Sequence, residues 1–155
     1  MPGYLVGWGY QGRTLEDLIH SMREVKATRL IDVRMTPVSR VKGFSKTRLR
    51  NHVESHGFIY EHLPQLGNPK TNRAGYATPD TPEARRAHMR YIKEILDSER
   101  GKAALDYLSN LIEAEETIYL LCFENDQRCC HRNQIIDEVN RIREARFFTT
   151  MAVAG

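Results

Sequence analysis

The chain has 155 residues, 41% hydrophobic and 28% charged, with a formal net charge of +3 and three cysteines. This is an ordinary globular composition, long enough for one domain with a core of its own. It excludes a disulfide framework, and no stretch approaches the length needed to span a membrane.

Residues 4–8 predict a first strand, which ends in Gly9, Tyr10, Gln11 and Gly12. Thr14, with Asp17 three positions on, is a variant capping box, and Leu15, Leu18, Ile19, Met22 and Val25 stripe the helix that follows. Residues 29–33 predict a second strand. A loop containing Pro37 leads to Ser45, read as the N-cap of a helix that runs to about His56 and stops at Gly57. Residues 58–63 predict the third strand. Residues 66–80, rich in Gly, Pro, Asn and Thr, read as a long loop of the kind that often carries function.

Thr81-Pro82 opens a helix, in which Ala84, Ala87, His88, Tyr91, Ile92, Ile95 and Leu96 recur at helical spacing. Residues 98–101 break it, and Ala104, Leu105, Leu108, Leu111 and Ile112 mark another helix. Residues 117–122 predict the fourth strand, and a last helix is expected over about 130–145, with Ile135, Ile136, Val139 and Ile142 on its apolar face. Residues 147–153 are expected to add a fifth, edge strand or a docked tail.

Short apolar strands alternating with amphipathic helices imply a single-domain α/β fold. Its sheet should be mainly parallel, of four to five strands, with helices on both faces in a Rossmann-like three-layer arrangement. No repeat or linker divides residues 1–155. Right-handed crossovers place the strand-to-helix loops along one edge, where such sheets bind ligands. The less ordinary polar residues fall in those loops. They are Tyr10, Gln11 and Arg13 after the first strand, Arg34, Ser39 and Arg40 after the second, Asn68 after the third, and Glu124, Cys130, His131 and Arg132 after the fourth.

Several constellations there carry chemistry, each with a plainer alternative. Asp32 interrupts an apolar strand with Arg34 two residues on, so both point to the same side. An acid near a strand end could bind a ribose hydroxyl, orient a base or pair with the arginine; the plainer alternative is a structural carboxylate bonding nearby backbone N–H groups. From Arg34 to Val53 every charged side chain is basic: Arg34, Arg40, Lys42, Lys46, Arg48 and Arg50. Three of these lie in the first turns of the predicted Ser45 helix, where the macrodipole disfavours cations. A docked phosphate would explain the placement; so would a solvated basic face.

Cys122, Cys129, Cys130 and His131 lack the paired short spacings of common structural zinc sites, and no metal or cofactor is expected from them. Cys130 could be a thiolate nucleophile beside His131 and Arg132. Glu124 is the stronger catalytic residue, able to meet His131 as an acid/base pair, or alternatively to pair with Arg132 or cap the helix.

The motifs Gly9 to Leu15, Ile31-Asp32-Val33-Arg34 with Pro37-Val38-Ser39-Arg40, and Gly43-Phe44-Ser45-Lys46 come in this order, followed by Tyr60-Glu61-His62-Leu63, Leu66-Gly67-Asn68-Pro69, and Leu121-Cys122-Phe123-Glu124 with Cys130-His131-Arg132. Over about residues 4–140 the chain resembles the family catalogued as domain of unknown function 488, and the tail beyond Arg146 departs from it. The resemblance implies an α/β domain and little chemistry.

The residue types point to a cytoplasmic enzyme with a nucleotide or nucleic-acid partner and no membrane, acting by hydrolysis or transfer at a glycosidic or related bond. Asp32, Glu124 and His131 are its expected catalytic residues. Tyr10, Arg34, Ser39, Arg40, Lys46, Arg48, Asn68 and Arg132 would hold substrate or phosphate, arginine being suited to bidentate contacts. The alternative is a non-catalytic nucleic-acid-binding or regulatory module using the same arginines.

Overall fold

A computed structural model describes residues 2–154. In chain order its elements are β1 (Leu5–Gly9), α1 (Leu15–Glu24), β2 (Arg29–Asp32), α2 (Lys46–Ser55), β3 (Ile59–His62), α3 (Pro82–Tyr91), α4 (Glu99–Glu113), β4 (Ile118–Cys122) and α5 (Arg132–Ala154). The four strands form one sheet, ordered β1-β4-β2-β3, and every neighbouring pair is parallel.

The period-two alternation of strand side chains sorts the core into two layers. Ile118, Leu120 and Cys122 of β4 face a cluster that includes Tyr91, Leu105, Leu108, Ile135 and Val139, from α3, α4 and α5. Tyr119 and Leu121 face the other way, into a cluster with Leu18, Met22, Leu49 and Val53 from α1 and α2. All five β4 residues are buried, which is why this segment is apolar throughout rather than alternating.

Local chemistry sets most helix starts. Thr14 accepts from the Asp17 amide while the Asp17 carboxylate accepts from the Thr14 amide, a complete capping box. Thr81 and Ser98 cap α3 and α4 through the Ala84 and Gly101 amides. Residues Ile92–Leu96 extend α3 by one π-helical turn, so the predicted break falls at Asp97-Ser98 and Gly101 already lies inside α4.

Two expectations are corrected. Ser45 occupies the N-cap position of α2, but its hydroxyl makes no cap bond. It accepts from the Ser39 amide and donates to the Ser39 carbonyl, which folds the preceding loop back on itself. Residues 147–153 are not a strand, because α5 runs on unbroken to Ala154. No Gly or Pro interrupts this stretch, and propagating an existing helix costs less than starting a new element. Arg146 also ties α5 to Asp106, Asn110 and Glu113 of α4. Among the described residues, no helix is long and apolar enough to cross a membrane.

The chain reverses direction at the carboxyl edge of the sheet. After β2 it passes through α2 to β3, whereas after β4 it passes to α5, which packs back against β1 on the opposite face. The ends of β2 and β4 therefore flank a topological switch point, the place where open α/β sheets leave a crevice.

Candidate functional site

Loop closeness at this edge begins with β1. Its ladder to β4 continues past the strands, with the Tyr10 amide bonding Cys122 O at 3.2 Å and the Gln11 amide bonding Phe123 O at 2.9 Å. A Cβ on Gly9 would stand 1.8 Å from the Glu124 carbonyl oxygen, so only glycine lets the loop after β4 cross here. Gly67 plays the same part between the loops after β3 and β2, where a Cβ would come 2.6 Å from Met35 Cα. These two close approaches draw four loops around a cavity of about 100 Å³. Its polar lining includes Tyr10, Arg34, Asn68, Arg73, Tyr76 and Glu124, and Cys122, Cys130 and His131 also border it.

One wall is a buried ion pair. Arg34 Nε and Nη2 donate to the two oxygens of Asp32 at 2.8 and 2.7 Å, and the Tyr60 hydroxyl donates to Asp32 Oδ2 at 2.6 Å. Arg34 Nη1 donates to Phe44 O at 2.7 Å and to Tyr10 Oη at 3.3 Å. Asp32 is fully buried and Arg34 is 6% exposed. Burial alone would lower the Arg34 pKa, but hydrogen bonding to Asp32 and its charge outweigh that, with Tyr10 adding to them, and the guanidinium is held above its ordinary value. Burial, then the Asp32 charge, push the Tyr60 phenol well above the usual tyrosine range. Asp32 therefore reaches the cavity only through Arg34.

The opposite wall joins the β4 end to the start of α5. His131 Nε2 donates to Val33 O at 2.9 Å, since a carbonyl can only accept. In the neutral ring this turns the Nδ1 lone pair toward Cys130 Sγ at 3.5 Å and Cys122 Sγ at 3.9 Å. Burial works to lower the His131 pKa, yet Cys122 above all, with the Val33 hydrogen bond and Glu124, raises it overall. Hydrogen bonding to Cys130, followed by burial, pushes the Cys122 thiol up. The Tyr91 ring closes the back of His131 edge-on, centroids 5.3 Å apart.

Glu124 is half-buried, and its Oε2 accepts from Cys122 Sγ at 3.5 Å. Arg132 does not pair with this carboxylate; its Nη1 donates to the Glu124 backbone carbonyl at 2.7 Å. Arg132 is 1% exposed and braces the loop from behind, outside the cavity lining.

Tyr10, Arg34, Asn68, Glu124 and His131 thus border one cavity, with Asp32 directly beneath it. Ser39, Arg40, Lys46 and Arg48 lie instead along an exposed groove of about 480 Å³ between the loop after β2 and the start of α2. Val38 borders both, so groove and cavity adjoin. Among the described residues no ion pair engages Arg40, Lys46 or Arg48. Phe44 and Tyr60 belong to the core: Phe44 stacks on Tyr10 at 4.5 Å, and Tyr60 holds Asp32.

Arg73 and Tyr76 join the lining from the long loop, although neither sits at a strand end. The loop is folded into three short 3-10 turns. Arg73 Nε bonds Asn68 O, and Asn72 bridges Asn68 Oδ1 and Ala87 O. A long loop containing Arg and Tyr among Gly, Pro and Asn was the available signal. Only the fold shows which of its side chains turn inward.

A family model described as "Domain of unknown function DUF488" matches residues 14–139. No curated protein and no solved structure gives a significant match to the chain.

Proposed function

The chain belongs to the family of domain of unknown function 488, and from that premise and the site's geometry we propose that it is an enzyme acting on a nucleotide or nucleic-acid substrate. It would bind phosphate along the basic groove and carry out hydrolysis or transfer at a glycosidic or related bond in the adjoining cavity. The observation that carries this reading is the adjacency itself: Arg40, Lys46 and Arg48, outside any ion pair among the described residues, line a groove that meets at Val38 the polar cavity bordered by Glu124.

Each part supplies a definite piece of chemistry. A cavity of about 100 Å³ holds a few waters or one small reacting group. Most of the substrate must then lie in the groove, where exposed cations favour a phosphate backbone. Glu124, half-buried and outside any ion pair among the described residues, is free to move a proton. Arg34 and Arg73 line the same cavity and would stabilise developing negative charge. Asp32 fixes Arg34 as a positioning residue, since both of its oxygens are engaged.

The test combines binding with turnover. Labelled single-stranded oligonucleotides report affinity by anisotropy across a salt series, and nucleosides, nucleotides and oligonucleotides are screened for product by chromatography. Glu124→Gln is expected to lower turnover by about 10²–10⁴-fold while changing affinity little. Replacing Arg40, Lys46 and Arg48 with Gln is expected to weaken binding and flatten its salt dependence. Salt-independent affinity would overturn the substrate class. Binding without any turnover, or turnover that survives Glu124→Gln, would overturn the enzyme reading.

A further inference from the structure

Cys122, Cys130 and His131 are far from a zinc signature as linear spacing, but the fold collects their donor atoms. The strand end supplies Cys122 and the entry to α5 supplies the other two, and the Sγ, Sγ and Nδ1 atoms all lie within 4.8 Å of one another. We propose that these three side chains form a binding site for one zinc-class divalent cation, with its fourth position open to the cavity.

Distances support a tetrahedral ion. Bonds of about 2.3 Å to sulfur and 2.0–2.1 Å to nitrogen at tetrahedral angles place sulfur and nitrogen about 3.6 Å apart. The observed separations from His131 Nδ1 are 3.5 Å to Cys130 Sγ and 3.9 Å to Cys122 Sγ. Both sulfur–nitrogen separations are within a few tenths of an ångström of that value, and the two sulfurs, within 4.8 Å of each other, would close to about 3.8 Å around an ion.

The second observation is the orientation of the imidazole. Metal-bound histidines characteristically donate their other ring N–H to a carbonyl or carboxylate, which fixes both tautomer and ring plane. Nε2 makes that bond to Val33 O at 2.9 Å, leaving Nδ1 aimed at the two sulfurs. The atoms that Nδ1 is aimed at are thus two soft sulfurs, both ligand types for zinc.

Charge fits as well. A divalent cation displaces one proton from each thiol to solvent, and two thiolates with a neutral imidazole then make a net-neutral centre. Neutrality suits residues that are 2–7% exposed. Thiolate and imidazole donors select zinc over magnesium or calcium. Three protein ligands with an open side are the pattern of catalytic rather than structural zinc. Glu124 Oε2, 3.5 Å from Cys122 Sγ, stands beside the cluster. The inference does not depend on the substrate proposed above, and its test reads metal rather than turnover.

Purified protein, kept reduced with a phosphine and stripped of metal, is titrated with Zn²⁺ against a chromophoric chelator of micromolar affinity, and separately with Co²⁺. The expected results are uptake of one zinc per chain, release of about two protons, and a higher melting temperature with zinc. Cobalt should give the intense visible bands of a tetrahedral site and a thiolate-to-cobalt band in the near ultraviolet. Cys122→Ser and Cys130→Ser should each weaken zinc by more than the roughly 10–100-fold typical of a lost second-shell partner. Cys129→Ser, whose sulfur lies against Ala77 O, should bind as the parent does. The cobalt spectrum needs no variant, so a misfolded mutant leaves the proposal testable. Failure of reduced parent protein to compete for zinc would overturn it. So would a weak octahedral cobalt spectrum, undiminished binding in both Cys122→Ser and Cys130→Ser, or thiols that only form a disulfide.

Discussion

Replacing Asp32 with Asn tests whether the buried pair beneath the cavity is as isolated from solvent as its geometry states. Asn keeps the shape of Asp but removes the charge, leaving Arg34, 6% exposed, as an uncompensated buried cation. It also turns one acceptor oxygen into an NH₂ donor, which faces either the Arg34 guanidinium or the Tyr60 hydroxyl, both donors in the parent. Breaking one half of a buried pair costs about 3–5 kcal/mol. For a domain of this size each kcal/mol moves the melting temperature by about 2–4 °C, so a fall of roughly 6–20 °C is expected. Urea unfolding followed by circular dichroism and by the fluorescence of the single tryptophan, Trp8, gives the free energy directly. The double variant Asp32→Asn with Arg34→Gln should lose less than the sum of the single variants, because the second change removes the stranded charge. A loss below about 1 kcal/mol for Asp32→Asn, the worth of an exposed pair, would refute the argument. So would strict additivity in the double variant.

Gly9→Ala should destabilise the fold by about 1–3 kcal/mol or more as overpacking, since its Cβ would meet the rigid Glu124 carbonyl at 1.8 Å. Gly12→Ala, where nothing lies within 4 Å, should cost only the strain of its positive φ, and equal losses in urea unfolding would contradict the close-approach argument. Among the seven tyrosines, Tyr60, Tyr76 and Tyr91 should resist ionisation well above pH 10 in the folded protein, because burial, as the first cause, raises each phenol. The unfolded chain sheds those protons near pH 10 and the folded one keeps them, so stability should fall as pH rises through that region. Phenolate absorbance that shows all seven titrating together while circular dichroism remains native would defeat this. Arg146→Ala should change global stability by no more than about 1 kcal/mol, as its ion pairs are exposed. It should nevertheless speed amide exchange beyond residue 146, and unchanged protection there would mean that α5 does not need its link to α4.

Much of the frame could be read from the chain by itself. Apolar runs of four to five residues between amphipathic segments are a local signal, and so are Thr14 with Asp17 and Thr81 with Pro82; each specifies structure through neighbours a few positions away. That is why a mainly parallel sheet of four to five strands, with helices on both faces, could be expected from the chain; the structure has four, all parallel. The placing of Tyr10, Arg34, Asn68, Glu124 and His131 on one edge followed too, because in a parallel sheet every strand ends on the same side.

Tertiary structure decided the rest. The insertion of β4 between β1 and β2 depends on contacts across the whole chain, and it put the switch point, and so the cavity, beside Glu124. Whether Asp32 is a free carboxylate or the anchor of Arg34 turned on Tyr60, 28 residues away. Residues 147–153 have β-compatible side chains, and their helical state comes from propagation out of α5 and from Arg146 reaching α4. The grouping of Cys122 with Cys130 and His131 is likewise a matter of distance in space. Ligand spacing along a chain predicts a site only when the ligands share one local element. Here one donor ends a strand and two open a helix, and the fold alone sets their separation.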